Sequence, residues 1–169
     1  DEVASLAGID VDASGCRIYP VKGEYFRVGA AKQGLVSGLV YPVPKRNLMG
    51  LGVHATKDLS GSLRLGPNAL PAKSRSYEVD PSHAQAFFES ARQMLPFLEP
   101  ADLAPDMAGI RPKIQRPGET VKDFVVRHEA GQGLAGMINL IGIESPGLTS
   151  CLSLGRYVAD MVRKSGLAS

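Results

Sequence analysis

Eight residues near the C-terminus, Gly142-Ile143-Glu144-Ser145-Pro146-Gly147-Leu148-Thr149, have the types and order of a strand end, a tight turn and a helix start. They follow an apolar run, Leu134–Ile143, and precede an amphipathic segment that ends near Lys164. Ser145 suits the helix cap, because its hydroxyl can accept from an exposed first-turn amide. Pro146 suits the first helical position, where a missing N–H costs nothing. Gly142 and Gly147 let another body approach the backbone. The amides of such a turn, with the helix dipole, favour a negatively charged or electron-rich group. An ordinary strand-to-helix connection uses the same residues, so both readings stand at this level.

Two further side chains have suitable chemistry. Arg111 ends an apolar run in Gly109-Ile110-Arg111-Pro112. Its planar fork can hold a carboxylate through two parallel hydrogen bonds, which a lysine cannot reproduce. A surface arginine or a structural ion pair is the other reading. His54 lies in Gly52-Val53-His54-Ala55-Thr56. On a two-residue period it shares a face with Thr56, away from Val53 and Ala55. An imidazole there either takes and returns a proton or serves the sheet alone. His83 and His128 have no partner at metal-ligand spacing, and Cys16 and Cys151 lie far apart without a CxxC, so no metal site is expected. No GxSxG and no GKS/GKT motif is found, and no GxGxxG lies near the start, so neither a serine nucleophile elbow, a P-loop nor an N-terminal Rossmann fingerprint is indicated.

The elements that must position these groups are mostly short strands. Cys16–Val28 reads as two short strands or one with a bulge, punctuated by Lys22-Gly23. Gly38–Pro44 is a second run whose prolines favour an edge, and Gly50–Thr56 is a third. Asp58-Leu59-Ser60-Gly61 reads as the turn of a hairpin completed by Ser62–Leu65. Spacing this short favours antiparallel pairing. Asp80-Pro81-Ser82 opens a helix, with Ala84, Phe87, Phe88, Ala91, Met94 and Leu95 as its core face and Pro96 as its stop. Met107–Ile114 reads as a strand interrupted at Pro112, and Asp123–His128 and Leu134–Ile143 follow, joined by the turn Glu129-Ala130-Gly131-Gln132-Gly133. A last helix, Pro146–Ser165, should turn Leu148, Leu152, Gly155, Val158, Ala159 and Val162 inward.

Composition narrows the function classes. Nineteen Lys and Arg against seventeen Asp and Glu give a net charge of +2 without a basic run, which argues against nucleic-acid binding. No apolar run reaches the ~20 residues of a membrane span. Cytoplasmic placement is expected, with membrane association peripheral at most. Two distant cysteines fit reduced thiols.

Taken in order, several pieces resemble the C-terminal part of a flavin-dependent oxidoreductase of the D-amino-acid oxidase type. The resemblance is stronger to its branch of L-2-hydroxyglutarate dehydrogenases and glycerol-3-phosphate-dehydrogenase-like proteins. The pieces are Lys22-Gly23-Glu24-Tyr25, Val40-Tyr41-Pro42-Val43-Pro44 and Gly50-Leu51-Gly52-Val53-His54-Ala55-Thr56. Then come Leu65-Gly66-Pro67-Asn68-Ala69, Gly109-Ile110-Arg111-Pro112-Lys113 and the Gly142–Thr149 turn.

The resemblance implies an α+β fold. Residues 1–15 would end a connection from an FAD-binding domain, and residues 16–110 would form a mostly antiparallel substrate domain with a flanking helix. Residues 111–169 would return to the FAD-binding domain for its last strand and helix. The family's N-terminal glycine-rich βαβ unit has no counterpart among these residues, so the chain alone is expected to bind FAD poorly and to be inactive.

The implied reaction is hydride transfer from C2 of a small 2-hydroxy acid, such as 2-hydroxyglutarate, to FAD. Oxygen or a quinone would be the final electron acceptor. On that basis Arg111 would hold the substrate carboxylate, His54 would be the base, and Tyr41 would line the pocket. Gly142, Glu144, Ser145, Pro146, Gly147, Leu148 and Thr149 would face the flavin. Lys22 stands where relatives often have arginine and receives no role. The rival reading is a non-catalytic β-sheet module that binds a carboxylate ligand or a partner chain.

Overall fold

A computed structural model describes residues 1–43, 52–72 and 74–166. These form a mixed α+β structure with a mainly antiparallel five-stranded sheet, a small second sheet and a long C-terminal helix. The chain divides into two compact units, residues 21–110 and residues 1–20 with 111–169.

The first unit is built on β1 (Tyr19–Val28), β2 (His54–Lys57), β3 (Leu63–Gly66), β4 (Leu70–Pro71) and β5 (Leu103–Lys113). The order is β2-β3-β1-β4, with β5 also paired to β1. The Cys16–Val28 run therefore becomes one ten-residue strand rather than two. β2 and β3 form the expected antiparallel hairpin, with Ala55 opposite Leu65 and Thr56 opposite Arg64. Its turn is held by Asp58, whose carboxylate accepts from the amides of Ser60 and Ser62 and from the Ser60 hydroxyl.

The Gly38–Pro44 run does not form a strand over its described part: it reduces to a single bridge between Val40 and Ala55. Pro42 cannot donate to a ladder, which limits the pairing to that bridge. Pro44, Gly50 and Leu51 lie outside the described residues. β5 runs unbroken through Pro105 and Pro112. It pairs only with β1 among the described strands, so a missing N–H costs no ladder bond on its open side.

Period-two burial gives this sheet a closed face. Phe26, Val28, Ala55, Leu63 and Leu65 have no exposed surface. They pack against Phe87, Ala91, Leu95 and Leu98. Phe87 and Ala91 come from α3 (Ala84–Ala91), and the Phe26 and Phe87 rings lie 4.7 Å apart. Asp80 caps the preceding 3-10 turn (Pro81–His83) by accepting from the Ser82 amide at 2.9 Å. The helix itself ends at Ala91, short of the expected stop at Pro96.

The second unit holds α1 (Glu2–Leu6), an antiparallel pair β6 (Val125–His128) and β7 (Ile138–Ile141), and α4 (Gly147–Lys164). A short helix, α2 (Ala30–Gln33), belongs to the first unit. Ala4, Ile9, Val11, Cys16, Ile114 and Ile141 make a separate small core. In the β6–β7 connection a 3-10 turn (Glu129–Gln132) ends on Gly133 with φ +78°, where a glycine carries the left-handed conformation.

Two expectations for α4 change. Its cap is Pro146, not Ser145, and no side chain caps it. The Gly147 amide donates to the Glu144 carbonyl at 2.5 Å, so a tight turn intervenes and the helix starts one residue later than expected. The apolar stripe is also open. Leu148 and Leu152 are 89% and 76% exposed, and Gly155 is exposed, while Val158, Ala159 and Val162 are half-buried. Periodicity identified an apolar face but not what would cover it.

Candidate functional site

His54 opens β2 on the face opposite the core, because its neighbour Ala55 is fully buried. Its Nδ1 lies 3.0 Å from the Gly52 carbonyl oxygen. A carbonyl can only accept, so Nδ1 carries the proton and donates it. In the neutral ring this leaves Nε2 with its lone pair, the form a proton acceptor needs. Gly52 adopts φ +74°, a conformation open to glycine, and so its carbonyl can turn back to the ring. The Tyr41 ring stacks on the imidazole, with centroids 4.4 Å apart and planes 20° from parallel. The Val40–Ala55 bridge brings Tyr41 beside His54.

Arg111 lies in β5 and belongs to the other compact unit. It is half-buried and forms no ion pair with another described residue. Other half-buried arginines are matched: Arg64 by Asp58 and Asp106, and Arg127 by Glu129. An unmatched guanidinium at the end of a strand is suited to an external carboxylate.

The Gly142–Thr149 turn sits in the same unit as Arg111. Gly142 has φ +72°, and a Cβ there would meet Ile114 Cγ2 at 2.7 Å. A Cβ on Gly147 would meet Ile143 Cγ2 at 2.6 Å. Both glycines therefore have a packing reason inside the chain. Glu144 is tied down: Lys113 Nζ donates to its Oε1 at 2.6 Å, with the two side chains only 10% and 17% exposed. This strut fixes the turn to the end of β5, two residues after Arg111.

The turn fits the edge of an electron-rich group on the observation of its amides. The Leu148 and Thr149 N–H groups have no acceptor among the described residues, and no cap side chain competes for them. They open an eighteen-residue helix, whose dipole adds to their positive end.

On the core side, two of the sequence pieces meet. Glu24 is 1% exposed. Its carboxylate accepts from Asn68 Nδ2 at 2.9 Å, His83 Nδ1 at 2.6 Å and the Asp80 amide at 3.2 Å, with Lys22 Nζ 3.3 Å away. The Glu24 amide in turn donates to Asn68 Oδ1 at 2.8 Å. Burial pushes the Glu24 carboxyl up, but the donors from Asn68, His83, Asp80 and Lys22 together hold it below its ordinary value. Lys22 thus acquires a role as a partner of Glu24, and it also donates to the Glu78 carbonyl.

The structure brings Tyr41 and His54 into contact and groups Arg111 with the Glu144 turn in one unit. Sequence reasoning missed Lys113 as the partner of Glu144 and Asn68 and His83 as partners of Glu24. These pairs are 31, 44 and 59 residues apart, so no local pattern announces them. Among the described residues, no cluster of three or more His, Cys, Asp or Glu could hold a metal ion, and no helix is long and apolar enough to cross a membrane.

A family model described as FAD dependent oxidoreductase matches residues 2–161. The chain is 36% identical over 149 residues to the mitochondrial L-2-hydroxyglutarate dehydrogenase of Arabidopsis thaliana, covering 82% of this chain and 30% of that protein. It is 28% identical over 201 residues to the mitochondrial L-2-hydroxyglutarate dehydrogenase of Homo sapiens, covering 97% of this chain and 42% of that one. A dithionite-reduced L-α-glycerophosphate oxidase from Mycoplasma pneumoniae with FAD bound superimposes with a TM-score of 0.73 at 24% identity. That match covers 96% of this chain and 40% of the oxidase, and at this identity the likeness is one of fold. The chain spans less than half the length of each of these proteins.

Proposed function

The chain belongs to the FAD dependent oxidoreductase family, and on that premise we propose that it is the substrate-contacting and flavin-edge portion of an enzyme that oxidises a small 2-hydroxy acid, L-2-hydroxyglutarate or a near analogue. Residues 16–110 are then the substrate domain, and residues 111–169 the return to the FAD-binding domain. When bound, FAD supplies the two-electron acceptor that no side chain of this chain provides.

Each residue then has one task. Arg111 holds the carboxylate next to the reacting carbon and so fixes its orientation. His54 takes the hydroxyl proton on Nε2, while the Nδ1 bond to Gly52 keeps the ring in the accepting tautomer. Tyr41 keeps the imidazole plane from rotating. The Leu148 and Thr149 amides donate to the electron-rich edge of the flavin, and Gly142, Glu144, Ser145, Pro146 and Gly147 shape the backbone that presents them.

The observation that carries this reading is the half-buried guanidinium of Arg111, unmatched among the described residues, in a chain whose relatives include enzymes named L-2-hydroxyglutarate dehydrogenase. The test is anaerobic mixing of the flavin-loaded protein that contains this chain with L-2-hydroxyglutarate. Bleaching of the oxidised flavin band is expected. A band unchanged by a series of 2-hydroxy acids overturns the proposal.

A further inference from the structure

The open face of the main sheet carries a row of residues across neighbouring strands. Ala55, Leu65 and Phe26 are all fully buried on the core face, and their chain neighbours His54, Gly66 and Tyr25 alternate to the other face. His54 pairs directly with Gly66 across β2 and β3. The β1–β3 register sets Phe26 opposite Leu65, and the next residues along, Tyr25 and Gly66, are in close contact. On the far side of β2, the Val40–Ala55 bridge places Tyr41 next to His54. The row is therefore Tyr41, His54, Gly66, Tyr25.

The glycine in that row is a space. A Cβ on Gly66 would stand 2.6 Å from Tyr25 Cδ1 and 2.9 Å from Tyr25 Cγ. The Tyr25 ring thus lies down across β3, over the backbone of the residue paired with His54. Directly paired residues in an antiparallel ladder stand about 5 Å apart. Gly66 thus stands between His54 and the Tyr25 ring in the row, and it places no side chain there. Tyr41 stacks on the His54 ring, and the Tyr25 ring lies at Gly66, the residue paired with His54 on its other side.

We propose that Tyr25 is a specificity-determining residue, the wall that sets how bulky a 2-hydroxy acid can be while its C2 hydroxyl reaches His54. The proposal rests on the function proposed above for His54. Tyr25 is half-buried, so its ring is fixed by the sheet yet still presents surface to a ligand. A rigid aromatic wall loses little conformational freedom on binding, and one methylene of misfit in an apolar slot changes selectivity by roughly 10- to 200-fold.

The experiment compares Tyr25→Leu and Tyr25→Trp in the flavin-loaded protein that contains this chain. The readout is kcat/KM for L-2-hydroxyglutarate relative to a branched 2-hydroxy acid of similar length. Tyr25→Leu opens the wall and is expected to lower that ratio about ten-fold or more, and Tyr25→Trp is expected to raise it. Affinities of the matching 2-oxo acids, read from the flavin absorbance, should shift in the same directions. If one variant does not fold, the other decides the matter through both measurements. Ratios and affinities within two-fold of the parent in a folded variant overturn the assignment of Tyr25 and leave the proposed function standing. A parent protein that oxidises no 2-hydroxy acid overturns the proposed function, and the role of Tyr25 with it.

Discussion

The Tyr41 ring lies 4.4 Å from the His54 imidazole and 20° from parallel to it, while the Gly52 carbonyl holds Nδ1 at 3.0 Å. One contact fixes the plane of the imidazole and the other fixes which nitrogen bears the proton. If Nε2 is the acceptor, His54→Gln in the flavin-loaded protein should lower kcat about 10²-fold with the flavin spectrum unchanged. Tyr41→Leu removes a stack of about 0.5–1.5 kcal/mol and should cost kcat a few-fold. Steady-state kinetics at saturating substrate measure both. A His54→Gln protein with parental kcat would take the base away from His54.

Arg111 gives a sharper separation of binding from chemistry. Arg111→Lys keeps the charge but loses one arm of the paired hydrogen bond, worth about 1.5–3 kcal/mol when charge-assisted. KM for L-2-hydroxyglutarate should rise about ten-fold or more, while thermal stability changes little because no described carboxylate depends on Arg111. A variant with unchanged KM would place the substrate carboxylate elsewhere.

Local chemistry made some of this legible in the sequence, and distance hid the rest. The Asp58 turn and the alternation around Ala55 and Leu65 specified the hairpin that carries His54. The Asp80-Pro81 start of α3 and the β6–β7 pair with its Gly133 corner were equally local. The helix Glu2–Leu6 was not visible, since five residues carry too little periodicity and only Ala4 of them is buried. Nor was the cap shift at Pro146, which follows from one backbone bond between Gly147 and Glu144. The roles expected of Gly142 and Gly147 rested on their freedom to admit a foreign body. Their closest neighbours are Ile114 and Ile143 of the same chain, so substitution at either position now predicts loss of stability here as well.

The Glu24 cluster predicts a specific acid sensitivity. Glu24 has a carboxyl held below its ordinary value of 4.5 in the folded protein. A depressed carboxyl contributes stability that is fully present above its unfolded value and is lost as pH falls through its folded one. Stability should therefore decline as pH drops below about 4.5, when the donors from Asn68, His83, Asp80 and Lys22 face a carboxyl that takes up a proton. Glu24→Gln should lower stability at neutral pH and flatten this acid decline. Urea titrations at several pH values test it; parallel pH profiles for parent and variant would remove Glu24 from the acid response.

The Lys113–Glu144 pair links β5 to the turn that presents Leu148 and Thr149, and so connects a structural contact to flavin affinity. Lys113→Met leaves Glu144 as an uncompensated carboxylate at 17% exposure. Removing one partner of a largely buried pair costs about 3 kcal/mol, whereas replacing both by apolar groups is often close to neutral. Lys113→Met should thus lower stability by about that amount, and the double variant Lys113→Met with Glu144→Leu should recover most of it. Flavin affinity divides the two functions of the strut. If the pair only stabilises the fold, the double variant regains parental FAD affinity along with stability. If the strut also aims the Leu148 and Thr149 amides, FAD binding stays weak in the double variant although the fold is restored. The second outcome is expected, because the 2.6 Å bond sets the height of the turn above β5 and two apolar side chains do not. Equilibrium FAD titration beside chemical denaturation distinguishes them, and full recovery of both quantities would reduce Glu144 to a structural residue.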